Sequence, residues 1–223
     1  SWVVGLDNLS TVPDWLSDSL CRAVTGEGDV RRQLYSDSEL AVFAFRRCVL
    51  LNGIELGAIR GDLADRLVAV DLDRIPEYRR RTEHEMDRQW RDAYPLIFGG
   101  LLDLAAGVAQ LLPSVRLDTH PRMADFAAVA AAVDQLVGTR ALDSFLEKSR
   151  TLAEDSLTAD PFVAEMATAL AGDEFEGTAA ELLVHVTPTA DGWRRPADWP
   201  KSPQQVSGRL RRNAPALRKS GWT

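Results

Sequence analysis

The side chains best placed to do chemistry stand at the ends of two short apolar runs. Trp2-Val3-Val4-Gly5-Leu6 leads into Asp7-Asn8, and Cys48-Val49-Leu50-Leu51 leads into Asn52-Gly53. Runs of this length read as buried strands, which would deliver a carboxylate and two amides at strand tips. A carboxylate there can hold Mg²⁺, which takes one or two carboxylates together with phosphate oxygens. It can equally cap the turn that follows it. Asn-Gly is likewise a common turn pair. An amide can position a water molecule but cannot accept its proton near neutrality.

The elements that must hold these groups follow from residue spacing. Ser10 to Asp14 is turn chemistry, after which Trp15, Leu16, Leu20 and Val24 recur at helical spacing until Gly26 and Gly28. Arg32 to Tyr35 and Glu39 to Phe45 flank Ser36-Asp37-Ser38 and predict a β-hairpin. Ile59, Leu63 and Leu67 mark a short helix ending near Arg66, and Val68 to Leu72 reads as a last strand. From Pro76 the pattern is helical only. Tyr78 to Trp90 is densely charged, and Tyr94 to Leu111 is apolar on most sides, as a core helix would be. Further helices are expected over 121–137, 142–157 and 161–170, with Gly172 to Gly177 as a linker. Thr178 and Glu181 have capping-box spacing. Ser202-Pro203 starts the final helix, which Pro215 is expected to break.

Composition narrows the function classes. The 223 residues carry a net charge of −7, which argues against a surface that binds nucleic acid everywhere. The charge is uneven, however. From Gly177 onward eight basic side chains face three acidic ones, a local balance of +5 that leaves −12 for the rest, and such asymmetry marks an anion-binding module. Cys21 and Cys48 have no metal-ligand spacing, and His84, His120 and His185 are scattered, so neither a zinc site nor a disulfide framework is expected. The longest apolar stretch, Leu96 to Leu112, is interrupted by Gly99, Gly100, Asp103 and Gly107. No membrane span is therefore expected, and the cytoplasm is the default compartment.

In order along the chain, the motifs resemble the C-terminal portion of the helicase-like AAA+ ATPases of phages and integrated mobile elements, near the superfamily-3 and poxvirus-type primase-helicases. VVGLDNLS is similar to a Walker B motif, VLLNGIE to a sensor-1 strand, and GDLADRLVAVDL to a segment carrying an arginine finger. The resemblance implies an α/β plus α fold: an incomplete P-loop AAA+ core at 1–75, a helical lid at 76–171 and a winged-helix-like DNA-binding module at 177–223. It implies Asp7 on Mg²⁺, Asn8 and Asn52 on the attacking water, and Arg66 reaching the γ-phosphate of ATP in a neighbouring subunit of a ring, with Arg60 as its rival. Arg122, in HPRMADFA, resembles a nucleotide-contacting sensor-2 arginine; it can equally pair with Asp118 or Asp125. No G-x-x-x-x-G-K-[ST] loop occurs, and the three lysines all lie at or beyond position 148. The expectation is a fragment lacking the phosphate cradle, inactive alone, from an ATPase that moves on DNA during replication. The alternative is a non-enzymatic DNA-binding or assembly protein built on a remnant ATPase scaffold.

The basic tail reads as the DNA contact. On a helix from Pro203, Val206, Leu210 and Leu217 share one sector, while Gln205, Arg209 and Arg212 share another. With Lys201, these are the candidate DNA-binding residues, one face packing and the other meeting a phosphate backbone or groove. Ser220-Gly221-Trp222-Thr223 reads as the start of a wing.

Overall fold

Short apolar runs make strands and long periodic ones make helices, and the balance here falls to helices. The structure, a computed structural model, describes residues 2–26, 29–32, 40–43, 46–54 and 59–222. In chain order its elements are β1 (Val3–Leu6), α1 (Asp14–Thr25), β2 (Asp29–Arg32), β3 (Leu40–Phe43), β4 (Cys48–Leu51) and α2 (Gly61–Ala64). They continue with α3 (Glu83–Leu111), α4 (Ala124–Val137), α5 (Ala141–Thr158), α6 (Pro161–Leu170), α7 (Ala179–Val186) and α8 (Pro203–Lys219). Two units result, one made of residues 1–67 and 149–223, the other of residues 68–148.

In the first unit β1 and β4 run parallel, with Val3 opposite Cys48 and Leu6 opposite Leu51. β2 and β3 pair antiparallel, Asp29 opposite Phe43 and Arg32 opposite Leu40. Their first strand begins earlier than the apolar spacing implies, and the expected turn at Ser36-Asp37-Ser38 lies outside the described residues. The expected α/β architecture does not form. Among the described residues the parallel sheet has two strands, Val68–Leu72 joins no ladder, and no P-loop AAA+ core is present. The apolar run of β1 predicts burial, yet Val3 and Val4 remain 47% and 40% exposed, and Leu50 on β4 is 60% exposed. β-branched residues favour extended backbone, but they do not by themselves supply the neighbouring strands that bury it.

Helices provide the burial instead. α1 and α2 place Leu16, Leu20, Leu63 and Ala64 with Leu6, Val49 and Leu51 of the strands and Leu152 of α5 in a small apolar cluster. The larger core joins α6, α7 and α8 through Phe162, Met166, Leu182, Val186, Val206 and Leu217, with Trp199 edge-on to Phe162 at 5.3 Å. α2 lies close on α8: a Cβ added at Gly61 would meet the Ala216 Cβ at 3.3 Å. The buried Asp65, just past α2, pairs with Lys219, whose Nζ also donates to the Ser149 hydroxyl at 2.8 Å.

The tail is not a winged helix, and no strand occurs between 177 and 222. Thr178 and Glu181 do form the expected capping box. α8 starts at the Ser202 cap as expected but runs through Pro215 to Lys219. It ends in a Schellman arrangement. Gly221, at φ 88°, donates to the Arg218 carbonyl, and Trp222 N–H donates to the Leu217 carbonyl at 3.0 Å. Trp222 packs against the main core, so the expected start of a wing is a helix stop.

The second unit is built on α3, which continues through Pro95 without a break. A capping box between Thr82 and Glu85 opens it. Its C-terminal half packs on α4 through Leu104, Val108 and Leu111. The core helix expected over Tyr94–Leu111 is buried only toward its end: Tyr94, Ile97 and Leu101 are exposed, as is Trp90 before them. At the α4–α5 corner the Asp134 carboxylate accepts from Thr139 Oγ1 and the N–H groups of Ala141 and Leu142. Burial pushes the Asp134 carboxyl up, but these hydrogen bonds outweigh it and leave the group below its ordinary value.

Asp160 caps α6 and anchors Arg209 and Asn213 of α8. Asp160→Ala should therefore cost about 3 kcal/mol in urea unfolding followed by tryptophan fluorescence. Asp143→Ala, which removes an exposed pair with Arg140, should cost under about 1 kcal/mol. Equal effects would mean that Asp160 is not a structural anchor. The capping boxes carry a pH dependence as well. Hydrogen bonds from the backbone N–H and then the hydroxyl of Thr82 and Thr178 hold the Glu85 and Glu181 carboxyls below the usual value. A depressed folded pKa adds stability that is complete above the unfolded pKa and fades as pH falls through the folded one. Amide protection at the first turns of α3 and α7 should therefore drop below about pH 4. Glu85→Gln or Glu181→Gln should abolish that pH step in its own helix, whereas Thr82→Ala or Thr178→Ala, which keeps the backbone donor, should only reduce it.

Candidate functional site

Pairing of β1 with β4 brings the two strand tips together. Asn52 N–H donates to the Leu6 carbonyl at 3.0 Å, and the Asn52 carbonyl accepts from Leu9 N–H at 2.9 Å. Asp7 and Asn8 occupy the turn between those two bonds. Asn8 has φ 56°, a left-handed conformation that asparagine tolerates better than most residues. Asp7, Asn8 and Asn52 are all exposed. The juxtaposition places one carboxylate and two amides at the C-terminal edge of a parallel strand pair, where ligands of open α/β sheets bind.

The remaining predicted residues are not all drawn to that edge. Among the described residues no hydrogen bond or ion pair joins Arg66 to Asp7, Asn8 or Asn52, although the Arg66 Nε is buried without a hydrogen-bond partner. Its rival Arg60 is held within the chain by Asp14, Asp18 and Asp62 at 3.6, 3.2 and 3.8 Å. Arg122 is exposed at the turn before α4, and among the described residues neither Asp118 nor Asp125 pairs with it. No group of three or more His, Cys, Asp or Glu poised to bind a metal occurs among the described residues. One exposed carboxylate fits Mg²⁺ only when it arrives on phosphates that complete its shell.

The basic tail separates into packed and free cations. Arg209 is turned inward: its Nη1 donates to Asp160 Oδ1 at 2.9 Å, its Nη2 donates to the Asp198 carbonyl, and its side chain is only 15% exposed. Gln205 is also occupied, its Oε1 accepting from Lys201 N–H at 2.6 Å. Arg212 is exposed and lines a cavity of about 340 Å³ with Arg60, Asp62, Asp160 and Arg209. Lys201 is exposed, and its ammonium has no partner among the described residues. Two further residues of α8, Arg211 and Arg218, are exposed without side-chain partners among the described residues. They are seven positions apart and about 100–120° round the helix from the Val206–Leu217 face, so the apolar repeat of α8, read for its flank, would have found them.

A family model for the actinomycete integrative conjugative element replication protein matches residues 1–155, and one for the C-terminal domain of that RepA matches residues 162–223. The chain belongs to that family. It is a replication protein of a mobile element. Neither a search of curated proteins nor one of solved structures returned a match. The C-terminal family segment of the replication protein holds α7, α8 and the exposed cations of the tail, while the strand-tip set lies in the N-terminal segment.

Structural and exposed arginines of the tail should respond differently to truncation. Arg209→Ala should lower stability by about 2–3 kcal/mol in urea unfolding, because it leaves the Asp160 carboxylate short of a charged partner. Arg211→Ala should stay within about 0.5 kcal/mol of the parent. A marginal loss for Arg209→Ala would mean that its pair with Asp160 does not hold α8 in place.

Proposed function

We propose that this replication protein holds DNA on the outer face of α8 and that the strand-tip set serves nucleotide-driven remodelling of that DNA. The observation that carries the first part is the division of tail cations. Arg209 is spent on the fold, whereas Arg211, Arg212, Arg218 and Lys201 are exposed, without side-chain partners among the described residues, on a segment of local charge +5. Free guanidinium groups spaced along one helix suit phosphate oxygens. Gln205, occupied at the start of α8, is the residue to read bases if that bond opens.

The second part rests on the meeting of Asp7, Asn8 and Asn52. Asp7 would hold Mg²⁺ carried on ATP, and the two amides would orient the attacking water. In a ring, Arg66 would complete the site of a neighbouring copy, and Arg122 would contact nucleotide in its own. Mg²⁺ and ATP supply the phosphoryl chemistry when bound. This chain contributes one carboxylate, two amides and two arginines, and no glycine-rich loop with lysine.

Two experiments test these parts. Each phosphate contact contributes about −0.9 to the log–log salt dependence of duplex binding. Arg211→Ala with Arg218→Ala should therefore flatten the slope by about two units and weaken all sequences alike. Salt-independent binding, or an unchanged slope in the double variant, would remove α8 as the DNA face. For the nucleotide part, the 223-residue chain should release no phosphate from Mg²⁺-ATP. In a form of the protein supplied with a phosphate-binding loop, Asp7→Ala and Arg66→Ala should each cut turnover by about 10³. Mixing the two variants should restore part of it, and absence of rescue between folded variants would mean that Arg66 does not act across a subunit boundary.

A further inference from the structure

The free half of α3 carries more uncovered apolar surface than a lone helix face normally retains. Trp90, Tyr94, Ile97, Leu101, Leu104, Val108 and Leu111 follow one another at alternating steps of four and three residues, the spacing of a coiled-coil seam. The last three are covered by α4 within the same unit. The first four belong to the same seam and are covered by nothing among the described residues: Trp90 is 56% exposed and Leu101 57%. Phe98 and Met86 flank them, also about half exposed. Trp90, Tyr94 and Phe98 lie along one side with ring centroids 5.5 and 5.7 Å apart.

Magnitude decides what the face is for. Aromatic side chains bury about 150–250 Å² each, so three at half exposure leave roughly 300 Å² open. With Met86, Ile97 and Leu101, each also about half exposed, the open face reaches about 600 Å², somewhat below the about 800 Å² that each partner contributes to a standard interface. A typical monomer's largest apolar patch is about 300–600 Å².

We infer that the Met86–Leu101 face of α3 pairs with the same face of a second copy of this chain, extending helix-on-helix packing beyond the end of α4. A self-pairing seam meets its own complement about a two-fold axis, and the four–three spacing is the pattern that a second helix reads. By length and composition α3 could cross a bilayer, but a lipid surface fits it less well. Asp92 and Asp103 bracket the open stretch, leaving ten uncharged residues, about 15 Å of helix against about 30 Å of hydrocarbon. The rest of the seam is already occupied by α4. This contact is separate from the boundary assigned to Arg66.

Sedimentation equilibrium of the full 223-residue chain at tens of micromolar should give two copies per particle. Tyr94→Arg with Leu101→Arg, both at exposed positions, should weaken association by about 30-fold or more while leaving helicity by circular dichroism unchanged. Independently of that variant's folding, Ile97→Cys with Cys21→Ala and Cys48→Ala should cross-link into a covalent dimer under mild oxidant. Gln110→Cys in the same background, outside the open stretch, should not. A monomeric parent overturns the proposal, as does a dimer that neither variant affects. Flotation of the parent with vesicles of phosphatidylglycerol and phosphatidylethanolamine, lost in the arginine variant without any dimer in solution, would overturn it in favour of a lipid surface.

Discussion

The Asp160 carboxylate accepts four hydrogen bonds at once, and the first unit is organised around it. Two come from the N–H groups of Phe162 and Val163 at the start of α6, one from Arg209 and one from Asn213 on α8. The first pair satisfies donors that a helix start leaves open. The second fixes which side of α8 faces inward, because Arg209 and Asn213 can reach Asp160 only with Val206 and Leu217 turned into the core. A partly buried carboxylate is costly unless paired, so these contacts stand or fall together. Register along α8 then decides which arginines remain outside.

Legibility in the sequence followed the range of the interaction. Caps are local, and Thr178 with Glu181 and Ser202 with Pro203 can be read directly from spacing. The strand character of both apolar runs is legible too, but not their pairing, whose partners lie 45 residues apart. The fold class is not. Val3, Val4 and Val68 to Leu72 have the composition of strands, but sheet membership depends on partners distant in sequence. The direction of Arg209 is also hidden: helical spacing puts it beside Arg212, and only the position of Asp160, 49 residues earlier, turns it inward. Pro215 misleads for a related reason. Packing of Ala216 and Leu217 holds the helix together past a residue that would break an isolated one.

The two halves of the tail's charge therefore do different work. Lys219 and Arg209 neutralise Asp65 and Asp160 inside the unit, so neither contributes much field at the surface. Arg211, Arg212 and Arg218 do, and with the exposed Arg194, Arg195 and Lys201 before α8 they carry the positive balance of the segment to solvent. Such a field raises the local concentration of anionic polymers and their rate of encounter. In a mobile-element replication protein whose remaining residues are strongly acidic, it also restricts where such a polymer can approach.

Construction of the first unit from residues 1–67 and 149–223 has a consequence in time. α2 waits for α8, since Gly61 rests on Ala216 and Asp65 on Lys219. During synthesis the ribosome must add residues 68–148 and then the tail before those contacts close. At about 5–20 residues per second, the wait is on the order of ten seconds. For that interval α2 lacks α8, and the small cluster it shares with α1 and the strands lacks Leu152. Closure over so long a loop makes the unit rich in non-local contacts, a topology that folds slowly, and gives chaperones a defined window in which to act.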